Sequence, residues 1–177
     1  MDNDLLPVIY LSILVVLLST ASWFLFRQIL KSRRTEGTLK RLQTKLSQGK
    51  GTAQEHYELG GIFLDKRLYS QAIVQFQKAL KAKDLADDEN AALIYNALGF
   101  AYAAQEQFDL AIKQYKEALE RRPNYPTALN NLGFAYEKKQ LTVQALEVYD
   151  QVLSIDPKNA TAKRRSESLR KRLVPSS

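Results

Sequence analysis

Residues 95–123 read YNALGFAYAAQEQFDLAIKQYKEALERRP, and residues 129–157 read LNNLGFAYEKKQLTVQALEVYDQVLSIDP. The two stretches match at a displacement of 34 residues: Tyr95 with Leu129, Leu98-Gly99 with Leu132-Gly133, Tyr102 with Tyr136, Ala111 with Ala145, Tyr115 with Tyr149, Ala118 with Val152 and Pro123 with Pro157. An earlier copy supplies His56, Leu59-Gly60, Phe63, Ala72, Phe76, Ala79 and Asp84. Each copy keeps nine residues from the aromatic of its first half to the alanine, then four to the next aromatic. Self-similarity at such a period marks stacked supersecondary units. Leu98, Gly99 and Tyr102 stand at i, i+1 and i+4, one stripe of a helix. Gly99 and Ala111 remove bulk where two antiparallel helices cross, Tyr115 fills the space beside them, and Ala118 leaves room for the next unit. Pro123 and Pro157 end the second helices, because a residue before proline is pushed out of the α region. One unit cannot bury its apolar faces alone, whereas three stacked units share a continuous core.

These positions resemble the tetratricopeptide repeat (TPR), whose units carry W-x2-L-G-x2-Y, then A-x3-F and a closing proline. The resemblance covers roughly residues 53–159 and implies an all-α solenoid of three helix–turn–helix repeats, at 53–91, 92–125 and 126–159. The first copy departs from the pattern. Asp84 replaces the proline, and the next copy follows after 39 residues, with the extra five in an acidic stretch around Asp84, Asp87, Asp88 and Glu89. A longer second helix or a larger loop is expected there, with Asp87 or Asp88 capping the next helix. His56 takes the place of a large aromatic and is expected to pack. Residues 160–177 begin like another first helix but carry Lys163 and Ser166 at core positions, so a terminal capping helix is expected.

Ahead of the repeats, residues 5–26 (LLPVIYLSILVVLLSTASWFLF) contain no charged side chain. As a helix they rise about 33 Å, enough to cross a hydrocarbon core of about 30 Å. Trp23 and Phe24 suit an interfacial aromatic belt. A cleaved signal fits poorly, since the start carries Asp2 and Asp4 rather than a basic region, and the apolar run continues past Ser19-Thr20-Ala21. Arg27, Lys31, Arg33 and Arg34 follow the span, so the positive-inside rule puts residues 1–4 on the non-cytoplasmic side and the remainder on the cytoplasmic or stromal side. Residues 27–52 form a basic juxtamembrane helix and linker, with Leu39, Leu42 and Leu46 on one face and Gly49-Lys50-Gly51-Thr52 as the break.

Charge is segregated: eight Lys/Arg against three Asp/Glu in residues 1–50, twelve against fifteen in 51–159, six against one in 160–177. An acidic middle between basic flanks argues against nucleic-acid binding. The absence of cysteine and the single histidine remove thiolate chemistry and His-based metal or acid–base clusters. With no phosphate-cradling glycine loop either, no enzymatic activity and no cofactor or metal site are expected.

In a TPR stack the first helices line the concave face, so the residues opposite the packing stripe should line a groove. That offset selects Asn96, Phe100 and Ala103 in the middle unit, Asn130, Phe134 and Glu137 in the third, and Tyr57, Gly61 and Leu64 in the first. Asparagine can donate to and accept from an extended backbone, and phenylalanine offers apolar anchoring area. The alternative is that both phenylalanines fold back between repeats. The expected partner-binding groove is Tyr57, Asn96, Phe100, Asn130, Phe134 and Glu137. The basic residues Lys163, Arg164, Arg165, Arg170, Lys171 and Arg172 are candidates for contact with membrane lipid or an acidic partner. TPR domains that bind chaperone tails resemble one another in a basic clamp, and here the corresponding positions hold Tyr57, Gly61, Ala97, Thr127 and Asn131, none of them basic.

An N-terminal transmembrane helix, a short linker, three repeats and a basic terminal helix together resemble the membrane-anchored TPR photosystem I assembly factors of cyanobacteria and plastids. That resemblance implies a thylakoid protein that helps assemble or stabilise photosystem I, with photosystem I subunits or other assembly factors as partners. A generic membrane-tethered TPR scaffold or receptor, for protein import or cytochrome maturation, shares the same anchor and repeats.

Overall fold

In the computed structural model, which describes residues 5–49, 51–85 and 87–173, the chain divides between Thr44 and Lys45 into two units. The predicted span and the juxtamembrane segment form one unbroken helix, α1 (Leu5–Ser47), which ends at a turn where Gly49 takes φ 75°. The helix does not stop between Phe26 and Lys31, since nothing there breaks it: neither proline nor glycine interrupts residues 8–36. Its apolar side chains from Ile9 to Phe26 are exposed. Among the described residues α1 is the helix long and apolar enough to cross a membrane. Residues 1–4 and Lys50 lie outside the described set.

The second unit is built from helix pairs: α2 (Ala53–Asp65) with α3 (Tyr69–Lys81), α4 (Asp88–Ala104) with α5 (Phe108–Arg121), and α6 (Pro126–Lys138) with α7 (Thr142–Ile155), followed by α8 (Ala160–Leu173). From α2 to α8 each helix packs on the next. The first helices α2, α4 and α6 also touch in succession, and the second helices do not approach one another as closely, so the first-helix face is the inner side of the curve.

The repeated residues explain the packing. Phe76, Tyr115 and Tyr149 are each at most 1% exposed, and each ring lies close against a glycine, Gly60, Gly99 and Gly133 respectively. A methyl group at any of these glycines would sit 2.5–2.7 Å from ring carbons, so only glycine admits the aromatic there. Every turn inside a repeat closes in the same way. Arg67, Glu106 and Gln140 adopt left-handed backbone (φ 59°, 60° and 59°), and the following amides of Leu68, Gln107 and Leu141 donate to the carbonyls of Phe63, Tyr102 and Tyr136. This is the Schellman closure of a helix C-terminus.

The acidic insertion does not lengthen the second helix, because α3 has 13 residues and α5 and α7 have 14. Most of it enters the following first helix: α4 has 17 residues against 13 in α2 and α6. Asp87 is the N-cap, accepting from the Asn90 amide at 2.6 Å, so Asp88 and Glu89 become the first turn. Acidic residues are favoured at that end of the helix dipole. They also meet the end of α5, with Arg121 Nε 3.9 Å from Asp88 and Arg122 Nη1 3.2 Å from Glu89. Asp84, standing where other repeats have proline, accepts from the Ala53 amide at the start of α2. Thr52 and Glu55 form a capping box at that same end. His56 is half-buried, its Nδ1 2.9 Å from Gln75 Oε1, a packing and hydrogen-bonding position.

Helix α8 buries Ala162, Ser166 and Leu169 against α7 and turns its other faces outward. Ser166 tolerates a core position because its hydroxyl donates to the Lys163 carbonyl at 3.1 Å. Lys163 itself is exposed.

Candidate functional site: the inner face of the first helices

Phe100, on α4, is 48% exposed and not folded back between repeats. Its neighbours on that helix are small: Ala97 and Ala103 are half-buried and Ala104 is exposed. One repeat later Phe134 is half-buried, with the Lys138 ammonium 5.5 Å and the Arg165 guanidinium 5.6 Å from its ring centre. Both are within cation–π range. Equivalent positions thus offer two surfaces, a bare ring in the middle and a cation-flanked ring near α8.

The asparagines are tied into the scaffold. Asn96 accepts from Asn131 Nδ2 at 3.0 Å and donates toward the Tyr125 hydroxyl at 3.5 Å. Asn130 donates to Asn159 Oδ1 at 3.4 Å, and its own Oδ1 is buried with no hydrogen-bond partner among the described residues. Asn159 Oδ1 in turn accepts the Ala162 amide and so caps α8. The two asparagines reach forward by the same 29 residues, Asn96 to Tyr125 and Asn130 to Asn159, which links each first helix to the start of the next.

Glu137 was expected to face open groove, but it is held from two sides. It accepts the Tyr149 hydroxyl at 2.7 Å and lies 3.3 Å from Arg165. The corresponding residues in the other repeats, Leu64 and Ala103, offer no carboxylate, so only the third repeat anchors its core aromatic in this way. Burial raises the Tyr149 phenol well above its usual range, and the adjoining carboxylate of Glu137 raises it further. Tyr149→Phe keeps the ring against Gly133 and deletes the donor. We expect a loss of about 1 kcal/mol of stability, read from the denaturant midpoint.

Tyr57 is half-buried, its ring 5.8 Å from that of Phe76. With Gln54, Asp84, Leu85, Asn90 and Leu93 it borders a cavity of about 230 Å³ between α2 and α4, at the acidic insertion.

The six basic residues of α8 divide. Arg165 serves Glu137 and Phe134, and Arg170 forms a two-pronged bond to Asp150 at 2.6 and 2.7 Å. Lys163, Arg164, Lys171 and Arg172 are exposed. The split was not apparent from composition. Its only trace in the sequence is register: Arg165 lies 34 residues after Asn131, whose amide also reaches the preceding first helix, at Asn96.

Comparison with known proteins agrees with this architecture. Family profiles described as "TPR repeat" and "Tetratricopeptide repeat" match residues 101–140 and 126–159. Among solved structures, that of MamA superposes with a TM-score of 0.73 at 21% identity, covering 81% of each chain. The first TPR of Spaghetti (RPAP3), bound to an HSP90 peptide, superposes at 0.63 and 21% identity over 68% of this chain and 92% of its own. At that identity the likeness concerns the fold. Sequence relatives are nearer. The chloroplastic tetratricopeptide repeat domain-containing protein PYG7 of Arabidopsis thaliana is 37% identical over 93% of this chain and 54% of its own length. The ycf37 protein of Guillardia theta is 40% identical over 72% of this chain and 71% of its own. That of Cyanophora paradoxa is 42% identical over 93% of this chain and 95% of its own. With 42% identity over nearly the whole length of both chains and tetratricopeptide-repeat profiles matching its repeats, the chain belongs to the ycf37 family of tetratricopeptide-repeat proteins.

Proposed function

We propose that this chain is a membrane-anchored interaction factor that assists assembly or stability of photosystem I. Its anchor is α1, and its inner helix face holds a segment of a photosystem I subunit or of another assembly factor. The kinship with ycf37 supports the setting: an alignment over 93% of the chain is too long to leave out the 43-residue α1, so the likeness extends beyond the repeats. The observation that carries the interaction role is the exposed Phe100 ring on the inner face, where burial against a partner removes apolar area from water. The repeats lie on the stromal or cytoplasmic side, in keeping with the basic residues after Phe26.

The test is a pull-down of the tagged chain from gently solubilised thylakoid membranes, beside a Phe100→Glu/Phe134→Glu variant of matched helicity. The native chain is expected to recover photosystem I subunits or precursors, with recovery falling at least about tenfold in the variant, since an anchoring aromatic carries about 2 kcal/mol or more. Equal recovery with both would move the contact off the inner face. Recovery of an unrelated membrane complex would leave a tethered TPR scaffold without the photosystem role.

A further inference from the structure

The inner face carries a charge gradient that its individual repeats do not reveal. Helix α8 continues the series of first helices: Arg165 reaches back to Glu137 and Phe134 of α6 much as Asn131 reaches back to Asn96 of α4. Carrying the inner-face positions forward by 34 residues from Asn130, Phe134, Glu137 and Lys138 gives Arg164, Ser168, Lys171 and Arg172, all exposed. Among the described residues, Arg164, Lys171 and Arg172 have no ion-pair partner within the protein. At the opposite end of the same face, α2 presents Glu58 and Asp65, both exposed. Between them α4 contributes Ala97, Phe100, Ala103 and Ala104, with no charge. One continuous face therefore runs from negative through apolar to positive.

We propose that this face binds an oriented protein segment with an acidic stretch against α8, an apolar residue on Phe100, and a neutral or basic stretch against α2. The proposal rests on the groove reading above and adds the polarity of its occupant. Charge complementarity along a face fixes the direction in which a segment lies and suppresses the reverse. A protein segment is favoured over an anionic lipid surface because the free cations stand in series with Phe134 and Phe100 on the inner side of the curve. A flat bilayer does not follow such a line, and an extended or helical segment does. Arg165, held by Glu137 and 5.6 Å from the centre of the Phe134 ring, joins the basic end to the aromatic one.

The full chain in phosphatidylcholine nanodiscs is titrated with fluorescent peptides, following anisotropy. One peptide orders Lys-Lys, a Leu/Phe-containing apolar block and Glu-Glu-Glu-Glu. Its isomer alternates the same charges. The segregated peptide is expected to bind about tenfold more tightly than the isomer, and Arg164→Glu/Lys171→Glu/Arg172→Glu is expected to weaken it about tenfold, as the sum of several exposed pairs. A peptide with its acidic block replaced by lysines should regain affinity for that variant, which a folding defect cannot produce. If Phe100→Glu abolishes binding while the charge variant binds normally, the groove stands and the polarity is refuted. If neither substitution matters, or no peptide binds, both fail. If instead α8 becomes resistant to trypsin only in nanodiscs containing phosphatidylglycerol, with no peptide bound, the basic face is a lipid contact and the proposal is overturned.

Discussion

Tyr115→Ala is expected to lower the unfolding free energy by about 3–5 kcal/mol, the range for deleting a fully buried aromatic ring. The ring is 1% exposed and touches Gly99 so closely that a methyl group there would lie 2.6 Å from it. Its buried neighbours on α5, Ala111 and Ala118, are too small to fill the space it leaves. Collapse would require α4 and α5 to slide together, which the turn at Glu106 resists through its two backbone closures. The middle repeat also couples the outer two, and stability in a solenoid is carried by nearest-neighbour interfaces. Thermal melts of the detergent-solubilised chain by far-UV circular dichroism should therefore broaden as well as shift to lower temperature. Tyr115→Phe, which keeps the ring, should stay within about 1 kcal/mol of the native chain. A Tyr115→Ala variant that melts like the native protein would show that the glycine–aromatic contact does not hold the repeat together.

Two adjacent glycines should respond to the same substitution with opposite signs. Gly61→Ala is expected to stabilise the chain by about 1 kcal/mol, since alanine is the better helix former and nothing lies within 4 Å of the added carbon. Gly60→Ala places the same carbon 2.5 Å from Cε1 of Phe76, a ring that is completely buried and cannot swing away. Overpacking of that kind costs about 1–3 kcal/mol. After the helix-propensity gain is set against it, a net loss of up to about 2 kcal/mol remains. The gap between the two variants, about 1–3 kcal/mol, is the decisive quantity in paired denaturant titrations. Equal effects at both positions would mean that the ring does not sit against Gly60.

The leucine–glycine–aromatic stripe and the alanine–aromatic pair made the helix pairs legible from sequence, because their spacings are properties of single helices and their immediate neighbours. The position of Phe100 opposite that stripe allowed either an exposed ring or one folded back between repeats, and in the structure it is exposed. Other details were not legible. The five extra residues between the first two repeats could have extended a loop, the second helix or the following helix, and the outcome depended on Asp87 capping α4 and on Arg121 and Arg122 standing near Asp88 and Glu89. The continuation of α1 through Arg27–Ser47 likewise did not follow from the change in polarity at Phe26, since polarity changes the solvent a helix prefers without breaking its backbone hydrogen bonds.

Sequence by itself determined the period, the order of the helices, and which residues are small or large at each crossing, since these are set by spacing along the chain. Tertiary structure alone decided the fate of the polar side chains. Glu137 joined Tyr149 and Arg165, 12 and 28 residues away, and did not stay free in the groove. Asn96 and Asn130 became links between repeats, and Arg165 and Arg170 found acidic partners while, among the described residues, Arg164, Lys171 and Arg172 did not. The physical reason is reach. Apolar periodicity specifies which face of a helix is buried, but a hydrogen bond or ion pair needs a complementary group within about 3–4 Å. On this molecule that group is usually supplied by the next helix pair.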